Sequence, residues 1–245
     1  MTEYTGLVAA VTGGASGIGA AVADLLADRG AAVAVLDRTP AVGGRHLAVT
    51  ADVTAPLDDA MARVAGTLGG LDILVNCAGI SAVGTVEEAA DDDWQRCLDV
   101  NVVGIARASR AALPFLRGSN SGVIVNISSI AATAGLVNRA VYSATKGAVH
   151  ALTLAMAADL VGEGIRVVSV APGTVDTPWV ARLLAGADDP AEEKRRLAAR
   201  QPTGRLVTAD QVAEAVAYLA SPRSGATTGT SLAVDGGMSG LRLIR

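Results

Sequence analysis

The sequence feature that most constrains the fold is a short apolar run followed directly by a glycine-rich loop. Leu7 to Val11 is continuously apolar, which is typical of a strand buried on both faces. The loop runs from Thr12 to Gly19 (TGGASGIG), and Ala20 to Arg29 then has a helical spacing. A strand, a glycine turn and a helix in this order offer backbone N–H groups and a positive helix end to a phosphate. This part of the chain therefore predicts a nucleotide-binding unit.

The three most informative glycines of the loop have separate predicted roles. Gly13 permits the turn, Gly17 lets a pyrophosphate approach the backbone, and Gly19 lets the helix pack on the strand. The spacing is TGxxxGxG rather than GxGxxG. The flanking strand and helix support the assignment more than the glycines do alone.

A second apolar run, Ala31 to Leu36, ends at Asp37, eighteen residues after Gly19. This is near the distance expected for a carboxylate that holds the ribose hydroxyls of NAD. The alternative is a solvated turn acid that caps the next segment. Arg38 follows and would soften a clash with a 2′-phosphate, but Asp37 would repel that phosphate. Because the loop has no Lys or Arg to attract it, we predict NAD rather than NADP.

The rest of the chain alternates between strand and helix patterns. The further predicted strands are His46 to Thr50, Leu71 to Val75, Val123 to Ile127, Ile165 to Val170 and Ser231 to Val234. The further predicted helices are Pro56 to Leu68, Ala89 to Leu116, Tyr142 to Val161 and Thr208 to Ala220. This alternation predicts a single-domain α/β fold, a doubly wound parallel sheet of about seven strands with helices on both faces.

The segment from Thr174 to Arg200 follows the carboxyl end of a predicted strand and reads as one or two helices around a break at residues 186–190. Its place predicts a lid over a site, extending to about residue 206. The helix that begins after Thr208 has Gln211 three residues later, which is the pattern of a capping box.

Composition excludes several classes of function. The chain is 51% hydrophobic but only 2% aromatic, which predicts a core of Ala, Val, Leu and Ile. A net charge of −4 argues against a nucleic-acid surface. No apolar run is long enough for a membrane span, and the start of the chain lacks a secretion signal. Two cysteines and two histidines are too few for a metal cluster or a disulfide framework. We therefore expect a cytoplasmic protein without metal, nucleic-acid or membrane partners.

Three polar residues near the middle of the chain suggest a proton-transfer site. Tyr142 and Lys146 are four residues apart in a helical pattern, which places an ammonium beside a phenol and favours the ionised phenol. Ser129 follows the strand that ends at Ile127, from where it can donate a hydrogen bond to the same substrate oxygen. This arrangement predicts proton exchange with an alcohol or a carbonyl. The alternative is that Tyr142 and Lys146 only occupy a helix surface.

Asn101 lies in a predicted helix interior among Val100, Val102 and Val103. An amide at such a position usually signals a local backbone bond or a kink.

Read together, these residues resemble the classical short-chain dehydrogenase/reductase family over essentially the whole chain. The resemblance rests on Thr12 to Gly19, Asp52, Asn76-Cys77-Ala78-Gly79, Asn101, Ser129, Tyr142, Lys146, Pro172-Gly173 and Asp235-Gly236-Gly237. It implies a Rossmann-type fold, NAD as cofactor, a small-molecule substrate and a homotetramer. Cys77 stands where the family usually has a second Asn, which puts cofactor affinity in question.

The resemblance also implies residue roles. Tyr142 would be the general base in alcohol oxidation and the acid in carbonyl reduction, while Lys146 would bind the nicotinamide ribose. Asn101 would hold a water that relays the proton, and Ser129 would orient the substrate oxygen. Asp52 would contact the adenine region, and Thr177 the carboxamide. The expected cofactor-binding residues are Gly13, Ser16, Gly17, Ile18, Gly19, Asp37, Arg38, Asp52, Val53, Asn76, Ala78, Gly79, Tyr142, Lys146, Pro172, Gly173, Val175 and Thr177.

The segments before Tyr142 and in the lid resemble a branch that includes type 2 3-hydroxybutyrate dehydrogenase and dehydrogenases of sugar acids such as 2-keto-3-deoxy-L-fuconate. Both substrate types have a carboxylate, which an arginine fork can hold bidentately. By this resemblance Arg139 and Arg200 would line the pocket with Ser129 and Tyr142, and Trp179 would wall it. A further lid arginine of the branch is replaced by Leu183, with Arg182 one residue earlier.

Other interpretations of the sequence stay open. Arg139 and Arg200 are otherwise ordinary surface arginines, and Trp179 an exposed lid aromatic. The substrate is then a neutral sugar, a polyol or a generic ketone. From other functional classes, the chain is a sensor of NAD and NADH without turnover, or a structural subunit of a larger assembly.

Overall fold

A seven-stranded parallel sheet forms the centre of the molecule in a computed structural model that describes residues 3–40 and 44–243. Its strands are β1 (Val8–Thr12), β2 (Ala32–Asp37), β3 (Leu47–Thr50), β4 (Ile73–Asn76), β5 (Val123–Ile127), β6 (Arg166–Pro172) and β9 (Ser231–Val234). The spatial order is β3-β2-β1-β4-β5-β6-β9, so the direction of winding reverses between β1 and β4. The carboxyl edge at such a reversal is where doubly wound sheets bind ligands. The predicted fold class is confirmed.

Helices cover both faces of this sheet. The described residues form the α-helices α1 (Gly17–Asp28), α2 (Asp58–Leu68), α3 (Asp91–Leu98), α4 (Gly104–Leu116), α5 (Ala140–Leu160), α6 (Pro178–Ala185), α7 (Pro190–Ala199) and α8 (Ala209–Ala220). Along β1, Ala9 and Val11 point into the core formed with α1 and α8, whereas Val8 and Ala10 point into the core formed with α2, α4 and α5. This alternation follows from the two-residue period of a strand.

The predicted helix Ala89 to Leu116 is interrupted. Helices α3 and α4 are separated by a π-helical turn at Asp99–Val103. Asn101 lies in this turn, where its Oδ1 accepts the Ile80 N–H at 2.8 Å and its Nδ2 donates to the Ile80 carbonyl at 2.9 Å. The helix is thus irregular at Asn101, but the backbone bond is to a distant residue rather than a local one, and it fixes the loop after β4.

Helix α5 begins two residues before Tyr142, and its two sides differ in burial. Val141, Thr145 and Val149 are buried, while Leu154 is 43% exposed on the other side. Alanines fill much of both faces, so the apolar pattern alone does not show which face packs on the sheet.

The segment after β6 forms two helices, α6 and α7, with the predicted break between them. A two-stranded parallel sheet joins the two ends of this segment. It consists of β7 (Val175–Asp176) and β8 (Val207–Thr208). Strands of two residues are too short to give a sequence pattern, and this sheet was not predicted. The capping box of Thr208 and Gln211 at the start of α8 is confirmed. None of the described helices has the length and apolar character needed to cross a membrane.

Candidate active site

A cavity of about 250 Å³ opens at the carboxyl edge of the sheet. Residues that follow β4, β5 and β6 contribute Gly79, Ser129 and Gly173 to its wall, and α5 contributes Tyr142 and Lys146. The three residues predicted to exchange a proton with a substrate, Ser129, Tyr142 and Lys146, therefore lie on one cavity.

Lys146 is held in place at the bottom of this cavity. Its side chain is 6% exposed, and Nζ donates to the Ile127 carbonyl at 2.8 Å. The same Nζ lies 5.8 Å from the centre of the Tyr142 ring, as expected for residues four apart on a helix. The hydrogen bond to Ile127 thus fixes the ammonium of Lys146 beside the phenol of Tyr142.

Ser129 ends the extended segment after β5 and caps a short 3₁₀ helix, Ile130–Ala132. Its Oγ accepts the Ala131 N–H at 3.1 Å, and this bond leaves the hydroxyl proton to be donated. Because one lone pair is used in the cap, the hydroxyl is oriented before any ligand arrives. Ser129 can thus donate to an oxygen in the cavity.

Asn101 lies behind the cavity wall, completely buried. Besides its two bonds to Ile80, its Nδ2 donates to the Thr145 hydroxyl at 3.0 Å. A Cβ placed on Gly79 would lie 3.2 Å from Asn101 Oδ1 and 3.6 Å from Lys146 Nζ, so both side chains approach the same glycine. Asn101 is therefore beside Lys146, while a water relay through it stays a prediction.

The glycine-rich loop lies against the loop that follows β4. Gly13 has φ +66°, and a Cβ there would come within 2.7 Å of Ala78 Cα. A Cβ on Gly19 would lie 2.3 Å from the Gly13 carbonyl oxygen. Gly19 therefore allows the start of α1 to pack on the loop itself rather than on the strand. Thr12 joins the two loops, because its Oγ1 accepts the N–H groups of Cys77 and Ala78.

Asp37 contacts the glycine-rich loop and also caps its own turn. Its carboxylate accepts the Ala15 N–H at 3.2 Å and the Thr39 N–H at 3.4 Å. Arg38 is exposed. Hydrogen bonds from Thr54 hold the pKa of Asp52 below its usual value, and the charge of Arg38 lowers this pKa further. Arg38 is thus close to Asp52 at this end of the sheet.

Arg139 and Arg200 both line the cavity. Burial lowers the pKa of Arg139, the neighbouring charge of Arg200 lowers it further, and Tyr142 acts in the opposite direction. In residues 3–40 and 44–243, neither guanidinium has a carboxylate within the 4.0 Å of an ion pair. The site therefore has two guanidinium groups without an ion pair, of which that of Arg139 interacts with Tyr142, while the charge of Arg200 also acts on Glu193.

A family model described as enoyl-(acyl carrier protein) reductase matches residues 13–239, which includes every residue of this site. The chain belongs to the short-chain dehydrogenase/reductase family. It is an oxidoreductase that acts on CH–OH groups with a nicotinamide cofactor. Ser129, Tyr142 and Lys146 lie together in this short-chain dehydrogenase, and their roles in the reaction stay predictions.

Characterised proteins resemble the chain along nearly its full length. Cis-4-hydroxycyclohexanecarboxylate dehydrogenase of Sinomonas cyclohexanicum is 43% identical over 94% of this chain and 95% of its own. 2-(S)-hydroxypropyl-CoM dehydrogenase 3 of Xanthobacter autotrophicus is 40% identical, with 96% and 97% covered. The solved structure of Thermoplasma acidophilum aldohexose dehydrogenase superposes with a TM-score of 0.93 at 33% identity, covering 98% and 97%. The branch inferred from the sequence stays a prediction.

The predicted cofactor-binding residues of the dehydrogenase fit a nicotinamide dinucleotide. The contact of Gly13 with Ala78 leaves a surface of bare backbone between β1 and β4. Ser16, the residue before α1, is exposed and does not cap the helix with its side chain, so the helix start is open to a phosphate. Four further predicted residues line the cavity beside Gly79 and Lys146, namely Ile18, Pro172, Val175 and Thr177.

Two predicted cofactor contacts have side chains that are engaged elsewhere. Asn76 is 2% exposed, and its Nδ2 donates to Asn126 Oδ1 at 2.9 Å and to Ser109 Oγ at 3.2 Å. It joins β4 to β5 and α4. Val53 packs close to Gly104, the first residue of α4. The pairing of Asn76 with Asn126 follows from sheet register, which no single strand pattern shows.

Cys77 lines the cavity without being a reactive thiol. Burial raises the pKa of this thiol to about 12, although the charge of Lys146 acts in the opposite direction. The thiolate is the nucleophilic form. Cys77 therefore stays protonated at neutral pH and acts as a small apolar contact.

Further wall residues come from the lid and from loops. Trp179 lines the cavity and is also 44% exposed. It is therefore both a wall residue and an exposed aromatic residue. Leu183 is on the wall and Arg182 is not, as the helix spacing predicted. Sequence reasoning missed several apolar wall residues, among them Ile80, Leu136, Leu197 and Met238. The described part of the chain has no group of three His, Cys, Asp or Glu side chains placed to hold a metal ion.

Proposed function

We propose that this dehydrogenase uses NAD to interconvert a secondary alcohol and a ketone in a small substrate that has a carboxylate. The observation that supports this most is the shared cavity of Ser129, Tyr142 and Lys146 with Arg139 and Arg200. Neither arginine has an ion pair among the described residues, and the charge of Arg200 together with burial lowers the pKa of Arg139. A bound carboxylate would neutralise them and would hold the substrate at a fixed distance from Tyr142.

Tyr142, Ser129 and Lys146 have separate roles in the proposed reaction. In oxidation the Tyr142 oxygen takes the hydroxyl proton of the alcohol, and the adjacent carbon loses its hydrogen with the electron pair of the C–H bond, leaving a ketone. When bound, the nicotinamide ring supplies the acceptor of this hydride, and in the reverse direction its donor. Ser129 donates a hydrogen bond to the substrate oxygen in both directions. Lys146 keeps a positive charge beside Tyr142 throughout.

The preference for NAD rests on Asp37. Its carboxylate lies beside the glycine-rich loop, where it accepts the Ala15 N–H. A carboxylate at this place accepts hydrogen bonds from ribose hydroxyls and repels a 2′-phosphate. Arg38 is close to Asp52. The negative charge of Asp52 makes Arg38 less available to bind the 2′-phosphate of NADP.

We also propose that the segment from about residue 174 to 206 is a substrate lid and that the protein is a homotetramer. For the tetramer, four apolar side chains are exposed around α3, α4 and α5: Leu98, Val103, Leu154 and Val161. Light scattering after size-exclusion chromatography tests the oligomeric state.

A neutral sugar is the second candidate substrate, favoured by the similarity to aldohexose dehydrogenase. One kinetic assay separates a carboxylate-bearing substrate from a neutral sugar. NADH formation is measured with hydroxy acids, sugar acids, aldoses and polyols, each with NAD and with NADP. We expect the highest kcat/KM for a hydroxy acid with NAD. A higher kcat/KM for an aldose would overturn the proposal of a carboxylate-bearing substrate. A higher kcat/KM with NADP would overturn the proposal of NAD as the cofactor.

A further inference from the structure

Apolar side chains form most of the wall of the cavity. Leu136 comes from the loop before α5, Leu183 and Leu197 from the two lid helices, and Met238 from the turn after β9. Trp179 adds an aromatic face. Four separate segments of the chain thus present apolar side chains to the same space.

Besides the reacting residues, the wall has few side-chain hydroxyls, and three of these already make one hydrogen bond each. Ser128 donates to the Lys146 carbonyl at 3.2 Å, and Ser81 to the Ala82 carbonyl at 3.4 Å. Thr177 accepts the Val180 N–H at 3.4 Å as the cap of α6. Among the described wall residues, the hydroxyls of Thr174 and of the reacting Tyr142 make no hydrogen bond in the structure. Apart from the reacting groups and the arginines, the cavity has little with which to bind additional substrate hydroxyls.

We propose that the substrate is a hydroxy or oxo carboxylate whose remaining body is hydrocarbon, either a short aliphatic chain or a small carbocycle, and not a polyhydroxylated sugar acid. The inference rests on the proposed function, because it takes the alcohol chemistry and the arginine-bound carboxylate as given. A hydroxyl moved from water to an apolar wall loses its hydrogen bonds without replacement. The cavity of about 250 Å³ also has to admit the nicotinamide ring, which limits the body to a small size.

Pairs of acids with the same skeleton test this proposal on the wild-type protein. One pair is 3-hydroxybutyrate and its 4-hydroxy derivative, and the other is 4-hydroxycyclohexanecarboxylate and the polyhydroxylated ring acid quinate. We expect the hydrocarbon member of each pair to have a kcat/KM about 100-fold higher, since an apolar pocket rejects an added hydroxyl by about this factor. Equal or higher values for the hydroxylated members would overturn the proposal.

A matched pair of lid variants shows whether the apolar wall causes this selectivity. Leu183 and Leu206 are both half-buried and pack on the same small cluster of Val180, Leu184 and Leu197, but only Leu183 lines the cavity. We expect Leu183→Gln to narrow the ratio of kcat/KM within each pair about 10-fold, because the amide supplies a partner for hydroxyls. Leu206→Gln should leave the ratio unchanged. A ratio that does not move in Leu183→Gln, or that moves equally in both variants, would overturn the proposal.

Failure of this proposal is distinguishable from failure of the proposed function. Turnover of hydroxy acids with a preference for the hydroxylated members would contradict only the proposed hydrocarbon body. The proposal of a carboxylate-bearing substrate would stand. Absence of turnover with every acid, together with NADH formation from an aldose, would contradict the carboxylate-bearing substrate and with it both proposals.

Discussion

The sheet edge and the lid differ in how firmly their functional residues are held. At the sheet edge, Asn101, Ser129 and Lys146 are each at most 7% exposed and each hydrogen-bonded to backbone. In the lid, Trp179 and Arg200 are exposed, and the helices that position them share a cluster of only three buried residues, Val180, Leu184 and Leu197. The predicted reactive residues thus lie on the core, and two of the predicted substrate-binding residues lie on a small peripheral layer.

This difference has a physical consequence for substitutions. The sheet is buried on both faces, so a change there disturbs packing as well as chemistry. The lid adds little to the main core, and a lid substitution should alter substrate affinity with a small effect on folding. Four predictions test this division, beginning with the largest expected effect.

Tyr142→Phe should lower kcat by about 1000-fold or more, because it removes the group that exchanges the proton and keeps the ring. Dissociation constants for NAD, measured by calorimetry, should change less than about threefold. Tyr218→Phe is the matched control, since Tyr218 is an exposed tyrosine of α8, away from the cavity. Turnover of Tyr142→Phe comparable with that of the control would remove this tyrosine from the mechanism.

Arg139→Ala and Arg200→Ala should each raise KM for a hydroxy acid about 10- to 100-fold, because a hydrogen bond to a charged group contributes about 1.5–3 kcal/mol. The KM for NAD should stay nearly constant. The double variant should lose less than the product of the two effects, because both groups bind the same carboxylate.

Arg182→Ala is the control for the arginine variants, since Arg182 is exposed on α6 but does not line the cavity. If all three arginine variants have the wild-type KM, the carboxylate clamp is wrong, and the two cavity arginines are surface residues.

Residues on regular elements could be placed from the sequence more easily than residues on loops. Tyr142, Lys146 and the glycine-rich loop lie on long elements whose spacing sets their geometry, so their place at the sheet edge followed from pattern. The side chain of Asn76 was harder to place, because its partner Asn126 lies on the neighbouring strand and is known only from the register of the sheet. Met238 and Leu136 come from irregular loops. Apolar residues in loops have no periodicity that would assign them to a cavity wall.

The base of the lid depends on one buried amide, Gln201, which is 1% exposed. Its Nε2 donates to the Arg205 carbonyl at 2.7 Å and to the Thr174 carbonyl at 3.4 Å, so it joins the two ends of the lid. Arg200 is the preceding residue. We expect Gln201→Met to raise KM for the hydroxy acid about three- to tenfold with little change in kcat, because Arg200 loses its position.

A merely structural role of Gln201 would lower the melting temperature and leave the kinetic constants of the folded enzyme unchanged. Gln95→Met, at an exposed position of α3, is the control for the side-chain change. A fall in kcat without a rise in KM would contradict a positioning role through Arg200.

The smallest expected effect lies where the sheet edge meets the lid, at the turn after β9. Burial alone would raise the pKa of Asp235, but hydrogen bonds from Ser239, Gly237 and Met238 offset this and hold the pKa below its usual value. A lowered folded-state pKa stabilises the fold above the pKa of about 3.9 of an unperturbed aspartate. This stabilisation is lost as the pH falls through the folded value.

Asp235→Asn should therefore reduce the free energy of unfolding by about 1–2 kcal/mol at neutral pH, measured with urea, and by progressively less below about pH 4. The turn also contacts the lid, because the Gly236 carbonyl accepts the Thr203 N–H at 3.2 Å. Hydrogen exchange should consequently rise first in residues 201–206 of the variant. A stability difference that is independent of pH would show that the carboxylate charge is not what holds this turn, and unchanged exchange in the lid would show that the two regions are not coupled through it.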